Sequence, residues 1–496
     1  MVRSPAARRS ASSSAVIRIG MLPSCLARNL PECAAPRRLG SPGMSFCAQH
    51  PRLRCRTTPC GWLATQRIFE GVEIVTEWSV MNPPTQCREP VRAQRRVHPM
   101  HRAQRRLLVP AAVAASIALA LTGCGASNFG GDSGGGETAE DGPIKIGAVL
   151  DITGVGANLG VPEQNTLNML AEQLNADGGI DGREVELIIK DNQSTEDGAA
   201  KATTQLIEND DVDLIIGSSR TGPSLAMRPL VEAAQVPTIS VAANAAIVDG
   251  SEWVFKTAQN DLVVLERILD DAESKGYTKI ALVRDATGFG EGIADIITEL
   301  GEERGITLTA TESFEPSATD FTAQMTNIRA ADADAVIIWG ITPSAGLAQA
   351  AYVQLGVNKP VYQSHGVAND AFFEAAGPAA DGVIAPMGRL LVADELSDDD
   401  PQKPVIDQFI ADYSAEFGSS PSSFAGHAYD AWLVGTKAIE AAGTDPEALR
   451  DAIEATTDLV GISGIFTMTP ENHSGLTADA LIMALAEGGR WTLYEE

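Results

Sequence analysis

The strongest constraint on the fold of this chain is a regular alternation of strand-like and helix-like segments. The buried apolar run IKIGAVLD (144–151) precedes a segment with apolar residues at helical spacing, and the same order repeats through VDLIIGS (212–218) and PTISVAA (237–243). Strands that alternate with helices predict a parallel sheet with helices on both faces. We therefore expect an α/β fold built on a doubly wound sheet.

The alternation begins again further along the chain. It restarts at KIALVRD (279–285), continues through DAVIIWG (334–340) and KPVYQSHG (359–366), and ends with GVIAPMG near 383–388. Two successive units of similar build predict two lobes with a cleft between them. Later helices are expected to pack on a lobe already formed, and two strands around a Gly-Gly turn are expected to finish a sheet edge. The predicted later helices are 403–417, 423–442 and 446–455.

Charge and cysteine content divide the chain into two kinds of polypeptide. Residues 1–106 carry 18 Arg, no Lys and 5 Glu, whereas the remainder carries 19 basic and 60 acidic residues. Nucleic-acid binding requires clustered Lys and Arg, so the acidic remainder argues against a nucleic-acid partner. No cysteine follows Cys124, so the sequence after it contains neither a disulfide nor a thiolate metal site.

A secretion signal is predicted at residues 100–124. A basic stretch precedes the apolar run LLVPAAVAASIALAL (107–121), which is shorter than the ~20 residues that a bilayer span needs. The sequence LTGC (121–124) then resembles the lipobox of bacterial lipoproteins. The resemblance implies that Cys124 is lipidated and anchors the protein to the outer face of the cell membrane. A flexible Gly/Ser/acidic tether is expected at 125–142.

The Arg-rich head at 1–99 has no sustained helical or strand period. One interpretation is a cysteine-containing domain held by a metal or by disulfides, although the head has no CxxC pair. The other interpretation is a disordered head or a translated upstream segment, with Met100 as the start of the protein. The second interpretation is favoured, because it places Cys124 at an ordinary distance from the start.

Enzyme motifs are weak in this chain. Gly154, Gly156 and Gly160 follow the first strand, but their spacing departs from the dinucleotide-binding G-x-G-x-x-G, and the loop ends in Pro162 instead of leading directly into a helix. The histidines after Cys124 show no metal-ligand spacing. We therefore predict no catalytic residue, no metal site and no cofactor, and a two-lobed NAD-dependent enzyme is a less favoured alternative.

Two polar turns follow neighbouring strands of the first unit. GSSRTGPS (217–224) joins a buried strand to a helix, and its hydroxyls either cap that helix or join the free N–H groups there in holding a carboxylate. The turn SVAANA (240–245) follows the next strand. Ligands of open α/β sheets bind outside the carboxyl ends of the strands, so the two turns together favour a binding site.

Longer segments occur in a specific order, among them IKIGAVLDITG, NADGGIDGREVELIIKDNQS, KIALVRDATGFGEG and AFFEAAGPAADGV. From Ile144 to about Trp491 the chain resembles the solute-binding proteins of branched-chain amino acid ABC transporters, the leucine/isoleucine/valine group of type I periplasmic binding proteins. The resemblance implies two lobes joined by a hinge of three crossovers, which close on a small ligand. The implied lobes are 143–258 with 385–460 and 259–384 with 461–496.

The resemblance also implies which residues contact the ligand. The groups that hold its carboxylate correspond to Thr221, Ala242 and Asn244, and the acidic group near its ammonium corresponds to Asp261. An aromatic side chain from the opposite lobe and a rim residue correspond to Phe289 and Leu159.

Two further contact positions depart from the family pattern. His365 stands where members that bind aliphatic amino acids have a carboxylate, and Thr342 stands before Pro343 where they have a Tyr. A buried ammonium needs charged acceptors, which contribute roughly 1.5–3 kcal/mol each. With only Asp261 retained, we expect leucine to bind weakly or not at all. Arg220 is expected either to hold a second carboxylate of the ligand or to be a solvated surface residue.

Together these features predict a tethered lipoprotein that captures a small polar organic solute outside the cell and delivers it to an ABC permease. The solute is expected to be an amino acid or a related amide or carboxylate, and the ATPase subunits of the importer use the ATP. The protein itself is expected to be a monomer without catalytic activity. A ligand sensor for a membrane receptor is the main alternative, because the same fold serves both functions.

Overall fold

The computed structural model describes residues 142–495. The head at 1–99, the signal with Cys124 and all but the last residue of the tether at 125–142 lie outside the described residues, so the expectations for them stay predictions. Within the described range, no helix combines the length and the apolar character that a membrane crossing requires.

The described chain alternates strands and helices as the sequence predicts. The strands are β1 (Ile144–Leu150), β2 (Val185–Asp191), β3 (Leu214–Gly217), β4 (Thr238–Ser240), β5 (Val254–Lys256), β6 (Lys279–Asp285), β7 (Thr307–Phe314), β8 (Ala335–Trp339), β9 (Val361–Gln363), β10 (Ile384–Met387), β11 (Leu459–Val460), β12 (Ile465–Phe466), β13 (Ile482–Glu487) and β14 (Arg490–Leu493). The α-helices are α1 (Ala157–Ala176), α2 (Glu196–Gln205), α3 (Thr221–Ala234), α4 (Asp261–Ser274), α5 (Ile293–Arg304), α6 (Thr322–Ala330), α7 (Ser344–Gln354), α8 (Asp370–Ala376), α9 (Lys403–Phe417), α10 (Ser423–Ala442) and α11 (Pro446–Glu454).

The first lobe is built on a five-stranded sheet of order β2-β1-β3-β4-β5, in which all neighbouring strands are parallel. Its strands are short apolar runs such as LIIG of β3, every residue of which is buried. One face packs against α1 and α10, and the core there joins Ile146, Leu167 and Trp432. The other face packs against α2 and α3. This is the doubly wound parallel sheet that the alternation predicts.

The second lobe is built on a seven-stranded sheet of order β14-β13-β10-β9-β8-β6-β7. Strands β6 to β10 pair in parallel, whereas β13 pairs antiparallel with both β10 and β14. The turn between β13 and β14 contains Gly488 and Gly489, both with positive φ. The predicted terminal strands around a Gly-Gly turn are therefore confirmed.

Within residues 142–495 the chain crosses between the lobes three times. It leaves the first sheet after β5, returns after β10 through the 3-10 segment Arg389–Glu395, and crosses again before β13. The predicted boundary at 385 falls inside β10, which pairs in the second sheet. The predicted boundary at 461 comes too early, because Phe466, Met468 and Leu476 pack in the core of the first lobe.

Four local features differ from the sequence-based expectations. Helix α1 begins at Ala157 and continues through Pro162, so the glycine-containing loop does lead into a helix. Pro162 is the sixth residue of this helix, so the helix lacks the hydrogen bond that an N–H at this position would donate to the carbonyl of Asn158. The short strand β5, helix α4 and the small hairpin β11-β12 were not predicted.

Candidate functional site

A cavity of about 830 Å³ lies between the two lobes. Its wall is formed by the segments that follow β2, β3, β4 and β5 in the first sheet and β6, β7, β8 and β9 in the second, together with the starts of α1 and α10. Both sheets thus direct the carboxyl ends of their parallel strands at one space, which is where open α/β sheets bind ligands. Five of the predicted contact residues line it, namely Leu159, Thr221, Ala242, Phe289 and His365.

The loop after β3 brings the N-terminus of α3 to the cavity. The helix begins at Thr221, and among the described residues the side chain of the N-cap residue Arg220 accepts no hydrogen bond from the N–H groups of Thr221 and Gly222. The nearby hydroxyls are engaged elsewhere, since Ser218 donates to Asp151, Ser219 donates to Glu163 and Ser224 bonds Ser240. The capping interpretation of these hydroxyls is therefore wrong. A 14-residue helix with free N–H groups at a cavity wall is suited to an anion.

The loop itself depends on Gly217, the last residue of β3. Its φ is +121°, and a Cβ on this residue would lie 2.2 Å from the carbonyl oxygen of Val149. Only glycine fits such a close approach to the neighbouring strand. The position of Ser218 and of the helix start therefore depends on this glycine.

A buried polar network supports the same loop from behind. Asp151 accepts hydrogen bonds from Asn192 and Ser218 and forms an ion pair with Arg220, whose guanidinium also donates to the carbonyl of Ser194. Burial raises the pKa of Glu163 well above its usual value, and the hydrogen bond from Ser219 opposes this shift. Arg220 lies in the cavity wall with its side chain 12% exposed, so it is not a solvated surface residue. Its charge is neutralised by Asp151 and is therefore not available to a second ligand carboxylate.

The turn after β4 supplies backbone and side-chain contacts at the cleft. The Ala242 N–H donates to Ser240 Oγ at 3.3 Å. Asn244 is not part of the cavity wall, but its Nδ2 donates to the Gly288 carbonyl of the opposite lobe at 3.2 Å. Gly288 also approaches Thr221, since a Cβ there would lie 3.2 Å from Thr221 Cγ2. The two lobes therefore meet across the cleft, and Asn244 joins them.

Aromatic side chains form the wall contributed by the second lobe. Phe289 packs between Trp339 and His365, with ring centroids 5.2 and 5.6 Å away, and Trp339 Nε1 donates to the Phe289 carbonyl at 3.0 Å. His365 is 6% exposed, and neither of its ring nitrogens has a hydrogen-bond partner among residues 142–495. Burial, reinforced by the charge of Lys256 and by His427, lowers the pKa of His365 to about 3. The imidazole is therefore neutral at physiological pH.

A second histidine, not predicted as a site residue, reaches the cavity from α10. His427 lies in the wall, its Nδ1 pairs with Ser463 Oγ at 2.9 Å, and burial lowers its pKa to about 3. Behind the wall, the buried ammonium of Lys256 donates to the carbonyls of Ala243 and Ala258. These residues were missed because α10 and β5 reach the cavity only through the packing of the lobes.

Two predicted contact residues lie behind the cavity wall rather than in it. Thr342 is fully buried and hydrogen-bonds Asn369. Asp261 is the first residue of α4, and its Oδ1 accepts from the backbone N–H of Ala245 at 3.2 Å. Burial raises the pKa of Asp261, and the nearby Lys256 ammonium opposes this shift. The charge of Lys256 thus acts on Asp261, whose Oδ2 has no hydrogen-bond partner among the described residues.

The glycines after β1 serve helix packing. A Cβ on Gly160 would lie 2.4 Å from the Asp151 carbonyl, and one on Gly156 would meet the Asp151 carboxylate and Arg220. These glycines therefore allow α1 to pack directly on the end of β1.

Within the described residues, no group of three or more His, Cys, Asp or Glu side chains is arranged to hold a metal ion.

Residues 143–490 match the family model described as periplasmic binding protein. A Pseudomonas aeruginosa protein named leucine-, isoleucine-, valine-, threonine- and alanine-binding protein is 29% identical over 324 residues, which cover 63% of this chain and 83% of that protein.

Solved structures of similar proteins have the same fold. An extracellular ligand-binding receptor from Rhodopseudomonas palustris is 30% identical with a TM-score of 0.67, and the match covers 71% of this chain and 99% of that one. The branched-chain amino acid transporter substrate binding protein of Streptococcus pneumoniae, solved in complex with isoleucine, is 25% identical with a TM-score of 0.63. That match covers 71% of this chain and 100% of the other.

Proposed function

This chain belongs to the periplasmic binding protein family, in the type I group that includes the Leu/Ile/Val-binding proteins, and from this premise we propose that it is the solute-binding subunit of an ABC importer. The family binds small-molecule ligands and works with ABC transporter components outside the cytoplasm. The proposed ligand is a small polar organic solute, an amino acid or a related amide or carboxylate. The protein releases it unchanged to the permease.

The observation that carries this proposal is the cavity between the lobes. Its volume of about 830 Å³ suits a small organic molecule, and its wall comes from both lobes, so closure encloses the ligand. The Asn244 to Gly288 hydrogen bond is a contact that exists only when the lobes meet. A ligand that contacts both walls shifts the population toward this closed form.

We further propose that the protein is a monomeric lipoprotein held at the membrane through Cys124, with 125–142 as the tether. A lipid anchor with more than one acyl chain gives stable membrane attachment, whereas one chain gives only marginal binding. This arrangement keeps the binding lobes near the permease and its ATPase subunits.

Binding and closure are tested together. Protein freed of bound solute by reversible unfolding is screened against amino acids, amides, polyamines and organic acids by thermal shift, and hits are followed by calorimetry and small-angle X-ray scattering. We expect a stabilising ligand that also lowers the radius of gyration. If no compound or cell extract raises the melting temperature, the proposed solute-binding function is wrong.

A substitution at Thr221, the first residue of α3, tests the proposed binding site. Thr221→Val removes one hydroxyl from the cavity wall and should weaken ligand binding about tenfold or more, because a hydrogen bond to a charged group contributes roughly 1.5–3 kcal/mol. Thr322→Val is the matched control, since Thr322 also begins a helix but lies exposed outside the cavity. Equal effects of the two substitutions would show that Thr221 does not contact the ligand.

A further inference from the structure

The polar groups of the cavity wall differ sharply between the two lobes. On the first lobe, the free N–H groups at the start of α3 favour a negative charge. On the second lobe, His365 presents an imidazole whose two nitrogens have no partner within residues 142–495, and its side chain is more than nine-tenths buried. A neutral imidazole offers a ligand ammonium no charged acceptor, whereas a carboxylate at this position would contribute roughly 1.5–3 kcal/mol.

The buried part of the wall contains no carboxylate that is free to receive an ammonium. Among the described residues that line the cavity, the carboxylates are the exposed Glu196, Asp197, Glu291 and Glu315. Exposed ion pairs contribute little, because water screens them.

Two of the buried carboxylates behind the wall have a cation nearby. Asp151 pairs with Arg220, and Asp261 lies near the Lys256 ammonium. Lys256 also influences both cavity histidines, since its positive charge contributes to lowering the pKa values of His365 and His427. The Lys256 ammonium therefore opposes a ligand ammonium placed beside these histidines.

We propose that the cavity binds an organic monocarboxylate that has no ammonium group beside its carboxylate, with His365 as the residue that selects against the amino acid. This inference rests on the proposed solute-binding function and narrows its ligand class. The ligand carboxylate lies at the start of α3, and the rest of the molecule packs on Phe289 and Ile341. The proposal separates this chain from relatives whose names refer to amino acids.

The test uses two pairs of molecules that differ only in the α-ammonium group. One pair is 3-phenylpropanoate and phenylalanine, and the other is 4-methylpentanoate and leucine. Dissociation constants are measured by calorimetry at neutral pH on the purified protein freed of bound solute. We expect the ammonium-free member of at least one pair to bind at least about tenfold more tightly than its amino acid.

Substitutions then locate the selectivity. His365→Asp places a carboxylate at the position of the imidazole and should reverse the preference within the pair, whereas His365→Asn keeps the site neutral and should preserve the preference.

Glu196→Gln tests the rim of the cavity, because the Glu196 carboxylate lies beside Gly222 near the start of α3. Its removal should leave the ratio of the two dissociation constants unchanged. A larger preference for the carboxylate in this variant would place an ammonium at the rim and contradict the proposal.

Two results on the unmodified protein overturn the proposal without reference to any variant. Tighter binding of either amino acid than of its ammonium-free partner would show that the cavity accepts an ammonium. Failure of all four molecules to bind, together with stabilisation by another compound or a cell extract, would reject this ligand class and leave the solute-binding function standing. Failure of every compound and extract would reject both.

Discussion

The hydrogen bond between Asn244 and Gly288 joins the lobes, and its removal should weaken ligand binding by a predictable amount. Asn244 has two roles, since its Nδ2 donates to Gly288 at 3.2 Å while its Oδ1 accepts from the Ala246 N–H at 2.9 Å. Asn244→Ser separates these roles. Serine is as good a helix N-cap as asparagine, but its side chain is too short to reach the opposite lobe.

The size of the effect follows from the chemistry of the lost contact. A hydrogen bond between neutral groups contributes about 1 kcal/mol net, with a range of roughly 0.5–1.5 kcal/mol. Because the contact exists only when the lobes meet, its loss lowers the closing equilibrium constant about fivefold. Apparent affinity scales with the closed population, so the dissociation constant should rise about fivefold, mainly through faster release.

The assay compares Asn244→Ser with Asn260→Ser. Asn260 also caps a helix, since its side chain accepts from the Leu262 N–H, but its side chain makes no hydrogen bond to the opposite lobe among the described residues. Calorimetry gives the dissociation constant of the tightest ligand found, and stopped-flow fluorescence of Trp339 beside Phe289 gives the release rate. An unchanged dissociation constant in Asn244→Ser, or an equal change in both variants, would show that this contact does not stabilise closure.

Three further predictions concern stability, pH and processing. Gly217→Ala should lower the free energy of unfolding by roughly 2–4 kcal/mol in urea titrations, because its Cβ would lie 2.2 Å from the Val149 carbonyl oxygen; a loss below about 1 kcal/mol would contradict the close approach. Burial raises the pKa of Asp430 to about 7, so this carboxyl group keeps its proton in the folded protein, whereas in the unfolded chain it loses the proton near pH 4. The contribution of Asp430 to the free energy of unfolding is therefore lost as the pH rises through about 7. Between pH 5 and 8 the unmodified protein should therefore lose about 3 kcal/mol relative to Asp430→Asn, and a pH-independent difference between the two would contradict this. Intact-mass measurement of the membrane form should show a chain that begins at lipidated Cys124, and peptides from 1–99 would contradict the proposed processing.

Local periodicity predicted much of the fold correctly. The helices at 403–417 and 423–442 have the predicted bounds, and β6 coincides with the run KIALVRD. These segments are long or strongly apolar, so nearby residues largely determine their structure. The lobe boundaries were less accurate. Whether β10 or the segment around Phe466 joins one lobe or the other depends on packing against residues far away in the sequence.

The candidate site shows the same division between local and distant determinants. The polar turn before Thr221 was predicted from its position after a buried strand, and it lies in the cavity wall. In contrast, the sequence could not show that Arg220 pairs with Asp151, 69 residues away, or that Asp261 lies beside Lys256. His427 reaches the cavity because α10 packs on the first lobe. Contacts of this kind depend on tertiary packing and have no local sequence signal.

A crystal structure of the protein with its tightest monocarboxylate ligand would test the proposed binding mode directly. We expect both lobes to enclose the ligand, with its carboxylate oxygens within about 3.2 Å of the N–H groups at Thr221 and Gly222. His365 should face an uncharged part of the same molecule. A ligand bound outside the cavity, or one with its carboxylate directed at His365 and away from α3, would contradict the proposal.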